Sequence, residues 1–221
     1  MSGKQISYGE AVRFGWETWK SNMGFFIGLM LIIGVISYIP SMIIMVISPD
    51  NVGASLIVNL ASILLQILIS MGAIKIALRF IDGDKPSFSD LFDSYNLILS
   101  VIGASILSSL LVLVGLILLV VPAIILSIQL QFFTYLIVDK GFGAIQSLKG
   151  SSAITKGAKF KLFLFSLLLF AINIAGFLAL VIGMFVTIPL SMVAMAYVYR
   201  ELLAQSELDS LVNVATVPAT Y

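Results

Sequence analysis

Asn59, Ser62, Gln66 and Ser70 recur at spacings of three, four and four residues within one apolar stretch. On a helix that spacing stacks two amides and two hydroxyls along a single face. Such groups donate and accept hydrogen bonds but carry no charge. Turned toward lipid without partners, each would cost about 2–7 kcal/mol, so they are expected to face other helices or water. Gln129, Gln131, Thr134 and Asn173 are further polar residues in apolar stretches. Polar groups at membrane depth are the first place to look for function. Two readings follow: a polar cavity or path between the second, fourth and fifth apolar segments, or hydrogen-bonded helix contacts worth about 0.6 kcal/mol each. No carboxylate or cation stands mid-segment beside them, which favours helix contacts over an ion path.

The remaining chemistry is bounded by what is missing. The 221 residues include no Cys and no His. That excludes disulfides, thiol nucleophiles, imidazole bases and Cys/His metal sites. No nucleophile–base pair is visible. Neither G-x-x-x-x-G-K-[ST] nor H-E-x-x-H occurs. Asp82, Asp84, Asp90 and Asp93 crowd one segment but lack the spacing and terminal Glu of a calcium loop. No catalytic residue, cofactor or metal is therefore expected, and the chain reads as a non-enzyme. A net charge of +1 argues against a nucleic-acid partner.

The elements that carry these residues follow from composition. The chain is 60% hydrophobic and 10% charged, against about 25% charged in soluble domains. Six apolar segments, about 23–47, 54–80, 97–116, 121–138, 162–181 and 188–203, approach the ~20 residues that a spanning helix needs. The expected fold is all-α: a polytopic membrane protein of six transmembrane helices in three hairpins. Gly115 to Pro122 is the expected reversal between the third and fourth spans, because Pro suits the first turn of a helix. Residues 1–22 and 204–221 are an amphipathic N-terminal segment and a frayed tail. All twelve Lys and Arg residues fall on one side of this topology, and Asp50 is the lone charge in the opposite turns. By the positive-inside rule that side, with both termini, is expected to be cytoplasmic.

Short segments precede each hairpin. Ser7-Tyr8-Gly9-Glu10 fits a capping box. After it, Tyr8, Val12, Trp16 and Trp19 share one helical face while Glu10, Arg13, Glu17 and Lys20 share another. Tyr8, Trp16 and Trp19 are expected as anchors of an interfacial helix, since indole prefers the headgroup layer; the alternative is a helix docked on the cytoplasmic end of the bundle. Ser87 is the expected N-cap before the second hairpin. The third segment is a basic loop: Lys140, Lys149, Lys156, Lys159 and Lys161 stand against Asp139 alone. Such a loop reads first as a topology signal alone; the alternative is a surface that attracts anionic headgroups by about 1 kcal/mol per basic residue. Tyr8, Phe88 and Phe142 begin the three segments, and Phe80-Ile81-Asp82 parallels Ile137-Val138-Asp139 at the hairpin exits. These similarities read as three copies of a surface helix plus hairpin around one axis. Ala171, Ala175, Ala179 and Gly183 form a small-residue ladder at spacing four, which suits close packing within the chain or in a homo-oligomer.

Val138-Asp139-Lys140-Gly141, Ala144-Ile145-x-x-Leu148, Ser151-Ser152, Thr155-Lys156-Gly157 and Trp16-x-x-Trp19-Lys20-x-Asn22 resemble a broad group of bacterial membrane proteins. That group includes the membrane domain fused to some glycerophosphodiester phosphodiesterases. The resemblance covers about residues 8–203 and implies six helices and a non-enzymatic role. The chemistry of the fused members belongs to a separate soluble barrel that this chain lacks. The leading expectation is a binding or scaffold protein for membrane lipids, other membrane proteins or a second copy. The runner-up is a small transporter or lipid-handling channel using the polar stripe.

Overall fold

The computed structural model describes residues 4–47, 51–179 and 183–206. Asp50 and the tail beyond Ser206 lie outside the described residues. Within them the chain folds into nine α-helices: α1 (Tyr8–Ser21), α2 (Met23–Val46), α3 (Val52–Ile81), α4 (Ile98–Leu118), α5 (Val120–Leu130), α6 (Phe133–Lys140), α7 (Ala144–Thr155), α8 (Lys159–Leu178) and α9 (Met184–Ala204). Two 3-10 turns, Phe88–Leu91 and Tyr95–Leu97, precede α4. Six segments are long and apolar enough to cross a membrane: α2, α3, Phe88–Leu118, Val120–Lys140, α8 and α9. The chain is a multi-pass membrane protein of the expected all-helical class. Leu119, fully extended between α4 and α5, makes the reversal expected between Gly115 and Pro122.

Local chemistry explains where helices stop. Gly141 follows α6 with φ of 67°, a left-handed conformation that a side chain resists, and it ends the helix. Asp90 closes a capping box with Ser87, the expected N-cap, its carboxylate accepting the Ser87 N–H at 2.8 Å. The box expected at Ser7 does not form: the Ser7 side chain caps nothing, and its N–H donates to Glu201 in α9 at 3.3 Å. A long-range carboxylate has replaced the local one.

The three segments before the hairpins pack in a cyclic order. The helix α1, before the first hairpin, lies on α9, the exit helix of the third. The turn Phe88–Leu91 lies on α3, the exit helix of the first, and α7 lies on α6 at the exit of the second. Tyr8 stacks on Phe165 of α8 at 5.8 Å, and Phe88 on Phe25 of α2 at 4.8 Å. Tyr8 and Phe88 thus meet the entry helix of the preceding hairpin, as α7 meets α4, and the three units close into a ring.

Burial is concentrated at the end of the bundle where these segments meet, the base. Its core joins Ala77, Phe132, Tyr135, Leu162, Phe165, Ala196 and Tyr199. Toward the hairpin tips it vanishes: no described residue between Met30 and Leu68 is buried, and between Phe170 and Ile188 only Gly176 is.

Candidate functional site

The strongest polar constellation at the base is built on Arg200. Its guanidinium donates to Asp82 from Nε at 3.1 Å and Nη2 at 2.6 Å, and to Asp139 from Nη1 at 2.7 Å. The Tyr199 hydroxyl also donates to Asp139, at 2.8 Å. The two aspartates that end parallel motifs in the sequence therefore share one cation on α9, and the exits of all three hairpins are tied together. Planar guanidinium suits such two-partner recognition. A second clamp lies beside it: Arg79 donates to both oxygens of Asp90 at 2.7 Å, and Lys75 pairs with Asp93 at 3.1 Å. The Asp90 side chain is only 2% exposed. Lys75 and Arg79, in the last turns of α3, are held by the aspartates that follow them.

The fourth span is not one helix. It breaks between α5 and α6, and α7 closes the break. Ser151 donates to the Gln129 carbonyl at 2.8 Å and accepts the Phe132 N–H at 3.1 Å, while Thr155 reaches the same carbonyl at 3.2 Å. The Gln129 side chain donates to Ser152 at 2.5 Å and accepts from Lys159. Irregular backbone at this depth is tolerated only where protein groups satisfy it. Ser147, Ser151 and Thr155, at spacing four, are fully buried on one face of α7. Sequence reasoning missed this comb, although its i, i+4 spacing was on the page.

That geometry corrects the basic loop. Residues 139–161 are mostly helix, with three of the five lysines turned to internal partners. Lys140 lies 3.8 Å from Asp139, Lys159 binds Gln129, and Lys161 donates to the Lys4 carbonyl at 2.8 Å. Lys149 and Lys156 are exposed. Lys4 in turn donates to the Ile154 carbonyl at 2.6 Å, and burial holds its ammonium below the usual lysine range.

The expected intramembrane polar set is not brought together. Asn59 donates to Ser55, Ser62 to Val58 and Ser70 to Ile67, all carbonyls of α3 itself. Asn59, Gln66 and Ser70 are exposed. Gln129 and Gln131 sit at the α5–α6 break; Asn173 donates to Ser191 of α9 at 2.9 Å. The stripe on α3 thus makes no bond to another helix among the described residues, neither to the fourth span nor to the fifth. Its direction follows from helix geometry. Asn59 and Ala77 are five whole turns apart at 3.6 residues per turn, and Ala77 packs in the core that contains Ala194 and Ala196 of α9. The stripe therefore lies on the face of α3 that enters the base core at Ala77.

The anchors divide. Trp16 is 45% exposed, while Trp19 is 8% exposed with its indole N–H donating to the Phe185 carbonyl at 3.0 Å. Tyr8 donates to the Lys161 carbonyl at 2.9 Å. The helix α1 runs antiparallel along α9, from Gln5 beside Gln205 to Trp19 beside Phe185. Only Trp16 of the three expected anchors points outward. Of the small-residue ladder, Ala171, Ala175 and Ala179 are exposed within the single chain. The close approach of α8 to α9 uses Gly176 instead, where an added Cβ would stand 2.3 Å from Thr187, together with Gly183 against Gly176. The apolar groove between α3 and α4, about 720 Å³, is lined by residues such as Leu60, Ile63, Ile106 and Leu110.

Residues 91–220 match a family described as a domain of unknown function (DUF7847). The chain belongs to this family. The match takes in the second and third hairpins of the DUF7847 member, including Asp139 and Arg200. No curated protein and no solved structure matches the chain.

Proposed function

We propose that this DUF7847 protein is a non-enzymatic binding or scaffold protein of the bacterial inner membrane, with both termini in the cytoplasm, that engages lipids or membrane partners. We place it with the bacterial membrane proteins related to the membrane domain of glycerophosphodiester phosphodiesterases. The observation that carries the functional reading is the division of the molecule into a stitched base and uncovered hairpin tips. At the base Arg79 pairs with Asp90, and Arg200 with Asp82 and Asp139, whereas the groove between α3 and α4 is lined by aliphatic side chains and the hydroxyls of Ser105 and Ser109. A base that fixes three arms and arms that keep apolar faces free suit a holder of acyl chains or partner helices.

The second reading is a small transporter or lipid-handling channel. It is supported by the exposed Asn59, Gln66 and Ser70 of the α3 stripe. Cysteine accessibility separates the two, because the natural chain has no Cys. Single cysteines replace Asn59, Ser62, Gln66 and Ser70, with a control at Asp50, and intact cells and inverted vesicles are treated with a membrane-impermeant thiol reagent. The scaffold reading expects no labelling along the stripe and labelling of the control only from outside. Labelling at successive stripe positions overturns it in favour of a wet path.

A further inference from the structure

Phe14, Phe25 and Phe80 line a cavity of about 520 Å³ at the base, where the α1–α2 junction meets the chain leaving α3. Glu17, Asp84 and Lys85 also line it. Its size falls within the range of about 300–1,000 Å³ common to small-ligand pockets. The aromatic rings are held from behind. Phe25 stacks on Phe88 at 4.8 Å and meets Phe80 edge-on at 5.7 Å, while Phe14 leans on Tyr197 at 5.4 Å. Rings already fixed lose little freedom when a ligand arrives.

The chemistry of the lining has two signs. Glu17 and Asp84 supply carboxylates, and the cavity touches Gly83, just past the C-terminus of α3, where a helix favours positive charge. Phe rings attract a cation through their faces. Lys85 supplies the opposite sign. Glu17 has one other partner, Arg13 at 3.6 Å, in an exposed pair that is weak by nature. A purely anionic ligand leaves both carboxylates opposed, and a purely apolar one engages none of the three charges. An ammonium joined by a short linker to a phosphate matches all of them. Asn22, just before the apolar α2, and Phe80, at the end of the apolar α3, also line it, and the ends of spanning helices are the level at which a lipid headgroup lies.

We infer that this cavity is a binding site for a zwitterionic phospho-amine, presented as a phospholipid headgroup or as the free soluble compound. The ammonium sits over the Phe floor toward Glu17 and Asp84, and the phosphate meets Lys85. This site is independent of the α3 stripe and of the groove between α3 and α4.

The test uses the full chain purified in detergent. Phosphoethanolamine is titrated by calorimetry, with ethanolamine and inorganic phosphate as half-ligands. Glu17, Asp84 and Lys85 are exposed, so Glu17→Gln/Asp84→Asn and Lys85→Gln are expected to fold, which a thermal melt checks. Saturable phosphoethanolamine binding is expected, weakened at least about tenfold in each variant, with Lys85→Gln leaving ethanolamine binding unchanged. Native mass spectrometry from mixed vesicles then identifies the source. Retention of phosphatidylethanolamine over phosphatidylglycerol, lost in the double variant, assigns the lipid; saturable binding of the soluble probe without lipid retention assigns the free compound. Absence of saturable binding together with unselective lipid retention overturns the inference. So does binding that the variants leave unchanged.

Discussion

The base and the hairpin tips are made of the same six spans yet cohere by different physics. At the base, α9 touches α1, α3 and α8; Arg200 bridges Asp82 and Asp139, and α7 plugs the break in the fourth span with hydroxyls. At the tips, burial within the second and third hairpins reduces to Gly115, Ala123 and Gly176. Lipid tails are as apolar as Leu, so there is no hydrophobic drive to close apolar helices on each other. Cohesion has to come from ion pairs, hydrogen bonds and close backbone packing. The polar side chains able to supply it lie mostly near the base.

The sharpest break in this comparison is glycine against glycine. A Cβ at Gly72 would stand 2.2 Å from the Leu91 backbone, while Gly34 on the tip of the first hairpin has nothing within 4 Å. Gly72→Ala is expected to lose about 3 kcal/mol or more, since the obstructing atoms are backbone in a packed site. Gly34→Ala is expected to be neutral or to gain up to about 1 kcal/mol from helix propensity. Thermal melting of detergent-solubilised protein followed by size-exclusion fluorescence reads both. Equal shifts would erase the distinction between base and tips.

Arg200→Gln comes next. Removing one member of a buried ion pair costs about 3–5 kcal/mol, and the 24% exposure of Arg200 beside a 44% exposed Asp82 lowers the expectation to about 2 kcal/mol. Arg200→Lys is expected to fall between, keeping the charge without the fork. A melt of Arg200→Gln indistinguishable from wild type would show that the three exits do not depend on it. Ser151→Ala is smaller, about 1–2 kcal/mol, for leaving the Phe132 N–H without its acceptor. Smallest of all is Gln66→Leu on the exposed stripe, within about 0.5 kcal/mol. A loss larger than that of Ser151→Ala would mean that the stripe has a partner in the membrane, which a crosslink from a cysteine at Gln66 would locate.

Legibility in the sequence followed the range of the interaction. The spans were read closely, with α4 ending at Leu118 and α5 starting at Val120 around the expected reversal, because a run of apolar residues responds to lipid locally. The Ser87 N-cap was legible for the same reason. The Ser7 box failed because Glu201, far away in the chain, competes for the same N–H. Asp82 and Asp139 were visible as matching exits, but nothing in either motif names Arg200 as their common partner. Gly176 was overlooked beside a more regular alanine ladder, since periodicity shows which residues share a face and not which face meets a neighbour.

By itself the sequence determined the all-helical class, the six spans and the exclusion of thiol and imidazole chemistry, since these depend on composition and on the local periodicity of polar and apolar residues. Only the tertiary structure decided that Trp19 points inward while Trp16 points out. It likewise decided that the lysines of 139–161 are mostly engaged at home and that, among the described residues, the α3 stripe makes no hydrogen bond to another helix. Those outcomes turn on which helix faces adjoin, and in a bilayer many apolar faces are nearly equivalent to lipid. The choice among them falls to a few glycines and charged side chains that meet only once the three hairpins have closed their ring.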